Sequence, residues 1–273
     1  GADRLLQPQP RRRHGARAAP GRHRDRGAEM PLVKTAAIVL HSRKWGEADR
    51  IITFYTLRAG KIRGIARGAR RLRSRLGGMI EPFTLCQLDL FEKSGDSLYR
   101  ISQVTQDESF AKFRTDLVLM AAAGRMVNLV NAVMADGDAE PKVFELLESG
   151  LRTLLDCRDA AWTTLLFQIR LLGVTGFRPQ IEQCATCGHA HRNPLPQFSP
   201  VAGGMVCERC ASRQPFRCTT LSRGSVAFLQ QALHMQPALL GRLHAAGQVR
   251  AEVECAIESY VTVVAGRRLP PVD

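Results

Sequence analysis

Residues 50–66 read RIITFYTLRAGKIRGIA, and the fold class turns on them. The first eight are dominated by β-branched and aromatic residues, the composition of a strand. Arg58, Ala59 and Gly60 then make a tight turn, because glycine enters the left-handed region without a Cβ clash. Residues 61–66 resume as a strand, with Ile62 and Ile65 read as facing inward and their charged neighbours outward. Upstream, residues 33–40 are apolar and β-branched. Downstream, residues 83–91 alternate: Phe83, Leu85, Gln87, Asp89 and Phe91 fall on one face, and Thr84, Cys86, Leu88 and Leu90 on the other. Ser94, Gly95 and Asp96 turn the chain into a fifth strand over 98–104. Five strands in this span, with no long helix among them, suit a closed or nearly closed barrel, since closure removes exposed edges. A five-stranded oligonucleotide-binding (OB) barrel leads the candidates. Of the aromatics that could stack on bases, Tyr55 is read as barrel core, while Trp45, in an expected loop, is left open between stacking and core.

From Ser109 the apolar period becomes helical. Residues 117–134 form one helix, ended by Asp136, Gly137 and Asp138. Pro141 suits the first turn of a second, which carries Val143, Phe144, Leu147, Leu151 and Leu154. Trp162, Leu165, Leu166, Ile169 and Leu172 form the face of a third, closed by Gly176 and Pro179. After an interruption, Ser222 caps a helix bearing Val226, Leu229 and Leu233. A last helix carries Val249 to Val264 and stops at Gly266.

Two C-x2-C pairs lie in the interruption: Cys184 with Cys187, and Cys207 with Cys210, with nineteen residues between the pairs. That spacing suits one tetrahedral zinc ion. Gly188, Gly203 and Gly204 let the backbone curl so that amides face the sulfurs. Disulfides are the weaker reading, because a reducing compartment keeps thiols free. His189 or His191 could replace a thiolate, but four cysteines make that unnecessary. Four thiolates leave no open position for water, so the zinc is read as structural rather than catalytic. Cys86, Cys157, Cys218 and Cys255 lie in or near apolar patterns and read as core.

The chain has 273 residues, 45% hydrophobic and 23% charged, which excludes wholesale disorder, collagen and coiled coil. Its longest apolar run, residues 117–123, is far short of the ~18 residues that suggest a membrane helix. No secretory signal is visible, so a soluble, cytoplasmic protein with no membrane partner is expected. The net charge is +14, of which residues 1–29 supply +5 and residues 58–75 supply +8. The first block is rich in Arg, Ala, Pro and Gly and reads as a disordered extension, with a nucleic-acid-binding arm as the alternative. The second lies inside the barrel region. A solvated loop is its bland reading, and a polyanion surface the favoured one. Phosphate-loop, dinucleotide, serine-hydrolase and metalloprotease motifs are absent, as are paired carboxylates, so no enzyme is expected.

The run Gly46-Glu47-Ala48-Asp49-Arg50-Ile51, then Gly60-Lys61, Arg67-Gly68-Ala69-Arg70 and Glu81-Pro82-Phe83, resembles the RecO family of bacterial recombination mediators and strand-annealing proteins. The cysteine pairs, with Phe198-Ser199-Pro200 and Gly203-Gly204 between them, are similar to that family's zinc-bearing branch. The resemblance runs from about Met30 to Gly266; the Arg-rich residues 1–29 depart from it. It implies an α+β protein: an N-terminal five-stranded OB-fold barrel followed by an α-helical domain interrupted by a four-cysteine zinc module. The divisions expected are 1–29, 30–108 (barrel), 109–180 (helical), 181–216 (zinc module) and 217–273 (helical). The implied partners are single- and double-stranded DNA, the acidic tail of single-stranded DNA-binding protein (SSB), RecR and, indirectly, RecA.

The basic residues give that work a surface. Lys61, Arg63, Arg67, Arg70, Arg71, Arg73 and Arg75 are expected to track phosphates, with Arg43, Lys44 and Arg50 extending the track. Neutralising about five phosphates gives a single-strand salt slope near −3.5. An RNA-binding or partner-docking scaffold is the alternative.

Overall fold

The computed structural model describes residues 32–72, 74–92, 98–190, 197–213, 218–239 and 242–272. The Arg-rich extension, Arg73, His191 and the turn at Ser94, Gly95 and Asp96 lie outside these.

Five strands, β1 (Leu32–Trp45), β2 (Asp49–Thr56), β3 (Gly60–Ala66), β4 (Leu85–Glu92) and β5 (Leu98–Glu108), close into a barrel of order β1-β2-β3-β5-β4. β1 pairs antiparallel with both β2 and β4, and β3 pairs parallel with β5. The lumen is filled by Val39, Ile52, Phe54, Ile62, Cys86, Leu88, Leu90, Ile101 and Val104. Cys86, Leu88 and Leu90 therefore share the face that their alternation assigned.

Three sequence expectations change here. β1 does not stop at Leu40: it bulges between Val39 and His41 and runs on to Trp45, so Trp45 ends a strand rather than sitting in a loop. Ile65 does not face the lumen. A strand's side chains alternate with period two, so Ile62, Gly64 and Ala66 share the inner face and Ile65 lies outside. Tyr55 is fully buried, but on the outer wall. Its hydroxyl donates to Glu140 O at 3.3 Å and accepts from Glu140 N at 3.2 Å.

The outer wall under Ile38, Leu40, Tyr55, Phe83 and Leu85 is continuous with the helical core. A single helical turn, α1 (Leu76–Met79), precedes β4. The helical core itself is built by α2 (Leu117–Val133), α3 (Pro141–Asp156) and α4 (Ala160–Val174). After the short α5 (Glu208–Ala211) it is completed by α6 (Arg223–His234) and α7 (Gly247–Val264). Asp116, Asp159 and Ser222 cap α2, α4 and α6 with side-chain oxygens, and Pro141 opens α3. At the seam Phe83 packs edge-on to Phe113 at 5.7 Å, and Phe110 stacks on Phe113 at 5.4 Å. Gly60 meets the helical domain closely: it has φ +62°, and a Cβ there would lie 2.1 Å from Asp138 O. Strands β6 (Gln197–Ser199), β7 (Gly204–Val206) and β8 (Thr219–Thr220) form a small separate sheet between α4 and α6 in the chain.

Candidate nucleic-acid interface and candidate metal centre

The turn between β1 and β2 and the loop after β3 are fastened into one rim. Asp49 Oδ1 accepts from Gly68 N at 2.8 Å, and Ala48 O accepts from Arg70 N at 2.9 Å. The Arg70 guanidinium donates to Gly46 O at 3.1 Å and Glu47 O at 2.8 Å. Gly46 and Gly68 both take positive φ, so each reversal needs a residue that tolerates the left-handed region. Ala69 is pulled into the barrel core. Arg50 pairs with Glu81 at 2.8 Å and donates to Ser42 Oγ at 3.2 Å. Asp49, Arg50, Gly68, Arg70 and Glu81, which carry the sequence resemblance, are thus the fasteners of this rim.

The basic residues divide into two groups. Arg43, Lys44, Arg67, Arg71 and Arg75 are exposed, and no described carboxylate lies within ion-pair distance of them. Arg70 is exposed too, but its fork is committed to two carbonyls. Glu47, exposed on the same turn, offsets one positive charge. The other group is spent inside the protein. Lys61 Nζ donates to Asn131 O at 2.9 Å and pairs with Asp136 at 3.3 Å. Arg63 reaches the other oxygen of Asp136 at 3.6 Å. Lys61, Arg63 and Arg50 therefore act first as fasteners. Asp136, from the helical domain, gives no sequence signal of this role, because it lies far along the chain from both partners.

Trp45 stands on the rim, half exposed, with the Arg43 guanidinium carbon 5.9 Å from its ring centroid. A flat ring beside exposed cations is an arrangement on which single-stranded bases can stack. The β1–β2 turn is also one of the loops that OB barrels use to hold oligonucleotides.

In the second site all four candidate cysteines come together, their sulfurs within 4.8 Å of one another. The Cys187 and Cys207 sulfurs are 3.7 Å apart. That is far beyond the ~2.05 Å of a disulfide. It matches the edge of about 3.8 Å that four sulfurs at ~2.3 Å from one ion define. No disulfide joins any of the described cysteines. Burial pushes the Cys184 thiol up, but the N–H groups of Cys207, Cys187 and Thr186 more than reverse this and bring it down to about 6. The neighbouring Cys207 thiol pushes Cys210 up to about 12. Four thiols this close cannot all ionise without a cation among them, so the donor set fits a metal ion. The knuckles are pinned from below: Ala185 N donates to Met205 O at 2.8 Å, and Met205 N to Gln180 O at 2.7 Å. His189 is not part of the cluster. Four thiolates fill a tetrahedral shell, so an ion held here would be closed to substrate.

Residues 30–110 match the family model for the N-terminal part of recombination protein O, and residues 114–271 match the model for its C-terminal part. The DNA repair protein RecO of Desulforamulus reducens is 31% identical over 244 residues, covering 89% of this chain and 94% of that protein. The RecO of Heliobacterium modesticaldum is 34% identical over 236 residues, 85% of each chain. That of Anaeromyxobacter dehalogenans is 31% identical over 240 residues, covering 88% of this chain and 94% of its own. Two family models spanning nearly the whole described chain, on a closed five-stranded barrel followed by a helical domain, place the protein in the RecO family.

Proposed function

We propose that this protein is a DNA-binding recombination mediator that anneals complementary single strands and helps load RecA onto SSB-coated DNA. DNA repair and recombination is the work of the family to which the chain belongs. The observation that carries the finer reading is the fastened rim, which leaves Arg43, Lys44, Arg67, Arg71 and Arg75 exposed with no described carboxylate within ion-pair distance. Phosphate contacts of this kind give affinity without sequence choice, which suits a protein that must act on any strand. Bringing two strands together requires charge neutralisation on both and no nucleotide hydrolysis, in keeping with a mediator rather than an enzyme. Double-stranded DNA, the product, presents the same phosphates and binds the same cations.

The four cysteines hold one structural zinc in this reading, because a soft all-thiolate tetrahedral set favours that ion. The functional divisions follow the elements: 30–108 the DNA-binding barrel, 109–180 and 217–273 the helical domain, and 181–216 the zinc module, with 1–29 dispensable. RecR and the acidic tail of SSB are its partners, and it works in the cytoplasm at the nucleoid. No helix among the described residues is long and apolar enough to cross a membrane.

The test is annealing of complementary strands pre-coated with SSB, without ATP, by the whole chain and by one starting at Met30. Fast annealing by both is expected. Failure of both, with the protein folded and metal-loaded, overturns the mediator reading in favour of an RNA-binding or scaffold role. Failure of the shortened chain alone makes residues 1–29 a working arm.

A further inference from the structure

The basic loop carries one side chain that electrostatics does not explain. Ser74 N donates to Arg71 O at 2.9 Å, closing a turn with Leu72 inside it. Such positions favour Gly, Pro, Asn, Asp or Ser, residues that reverse the chain or bond to it. Leu72 does neither, and at 107% relative exposure it is as open as a side chain can be. The turn follows directly on the rim: Arg71 N donates to Gly68 O at 3.0 Å, and the rim fasteners at Gly68 and Arg70 lie immediately before it. A large apolar residue standing wholly in water among arginines adds nothing to folding. Such local exceptions gather at functional positions.

The neighbours say what it meets. Arg70, Arg71 and Arg75 surround Leu72 in sequence, and all three are exposed. The partner is therefore anionic outside and apolar within. A nucleic-acid strand has that construction, with phosphates on its edge and stacked bases inside. Apolar side chains entered between base steps unstack them. Trp45 lies on the same rim, joined to the loop through the Arg70 bonds to Gly46 and Glu47, and offers a ring for a displaced base.

We propose that Leu72 is a wedge that enters the base stack of a single strand held on the rim, with Trp45 receiving the base it displaces. This rests on the reading that the rim binds single-stranded DNA. It adds that the protein opens the stack as well as neutralising the backbone, which leaves bases free to pair with a second strand.

The experiment uses the full chain, loaded with its metal, and an oligonucleotide carrying 2-aminopurine between purines, whose emission rises on unstacking. Binding by the unsubstituted protein raises that emission. Leu72→Ala loses at least half of the rise, keeps the salt slope because no charge is removed, and melts as the unsubstituted protein does. Leu72→Met restores the rise. Tryptophan emission falls on binding by the unsubstituted protein, as a displaced base stacks on Trp45, and falls less in Leu72→Ala. A full rise with Leu72→Ala overturns the wedge, as does binding at the expected salt slope with no rise in the unsubstituted protein; neither result touches the mediator reading. No binding of the oligonucleotide at all overturns both.

Discussion

Asp136 holds Lys61 and Arg63 at 3.3 and 3.6 Å, so replacing it with Asn acts on stability and on DNA binding in opposite directions. The Lys61 side chain is 14% exposed while Asp136 is 59% exposed. The pair is therefore half in solvent, and its loss is worth about 1 kcal/mol rather than the several of a fully buried pair. Lys61 stays docked on Asn131 O and does not become free. Arg63, with 42% of its side chain already exposed, does. One added phosphate-binding cation steepens the single-strand salt slope by about 0.7, from near −3.5 to near −4.2. That removes about threefold more affinity between roughly 50 and 200 mM salt, while affinity at low salt rises. Urea unfolding with unchanged m, alongside fluorescence anisotropy of a labelled oligonucleotide over a salt series, reads both effects. A variant of unaltered midpoint and unaltered slope would refute the claim that Asp136 fastens the seam and occupies Arg63.

The same geometry sets the outcome of three other substitutions. Arg70→Ala removes two hydrogen bonds that tie the basic loop to the β1–β2 turn, so affinity should drop by more than one lost charge explains, while the slope changes by less than about 1; salt-series anisotropy checks it. Gly204→Ala would place a Cβ 2.2 Å from Gln180 O, a backbone atom that cannot yield, so it should destabilise the module by about 2–3 kcal/mol and lower metal content by elemental analysis, with oligonucleotide affinity intact. Burial pushes the Glu252 carboxyl up, but the Ser222 N–H, the Ser225 hydroxyl and the Gln248 amide bring it down to about 2. Its folded pKa lies below the ordinary value, so its stabilisation is fully present above about pH 4.5 and is lost as pH falls towards 2. Glu252→Gln should flatten the acid limb of a stability–pH curve followed by circular dichroism, and leave the neutral region parallel.

The barrel was legible because its signal is local. Alternation over 83–91 puts Cys86, Leu88 and Leu90 in the lumen, and Gly60 marks its turn by the left-handed φ it requires. The two C-x2-C pairs were legible for the same reason, since a knuckle is built from a few adjacent residues. What sequence could not show is long-range. The run from His41 to Trp45 is mostly polar and none of it is buried, so its strand character was hidden from an apolar pattern. Ile65 misled because two isoleucines three apart look like one face, whereas a strand alternates in twos. Tyr55 read as barrel core and is buried, but the core it joins is shared with the helical domain, whose Glu140 lies 85 residues away. The basic block looked uniform in composition, yet Lys61 and Arg63 are tied to the helical domain and Arg50 to Glu81, while Arg67, Arg71 and Arg75 have no ion pair among the described residues. Charge counts do not distinguish a fastener from a contact; the carboxylates that decide it come from elsewhere in the chain.

The central claim is that the unpaired cations of the rim hold the strand. Its most direct measurement is the dependence of single-strand affinity on salt for the unsubstituted chain and for the triple variant Arg43→Ala, Arg67→Ala, Arg71→Ala. All three side chains are exposed and without described ion pairs, so the variant keeps its fold. About five neutralised phosphates give a slope near −3.5, and about two give one near −1.4. A fall of that size supports the rim as the strand's site; a triple variant that keeps the original slope contradicts it and places the strand elsewhere on the protein.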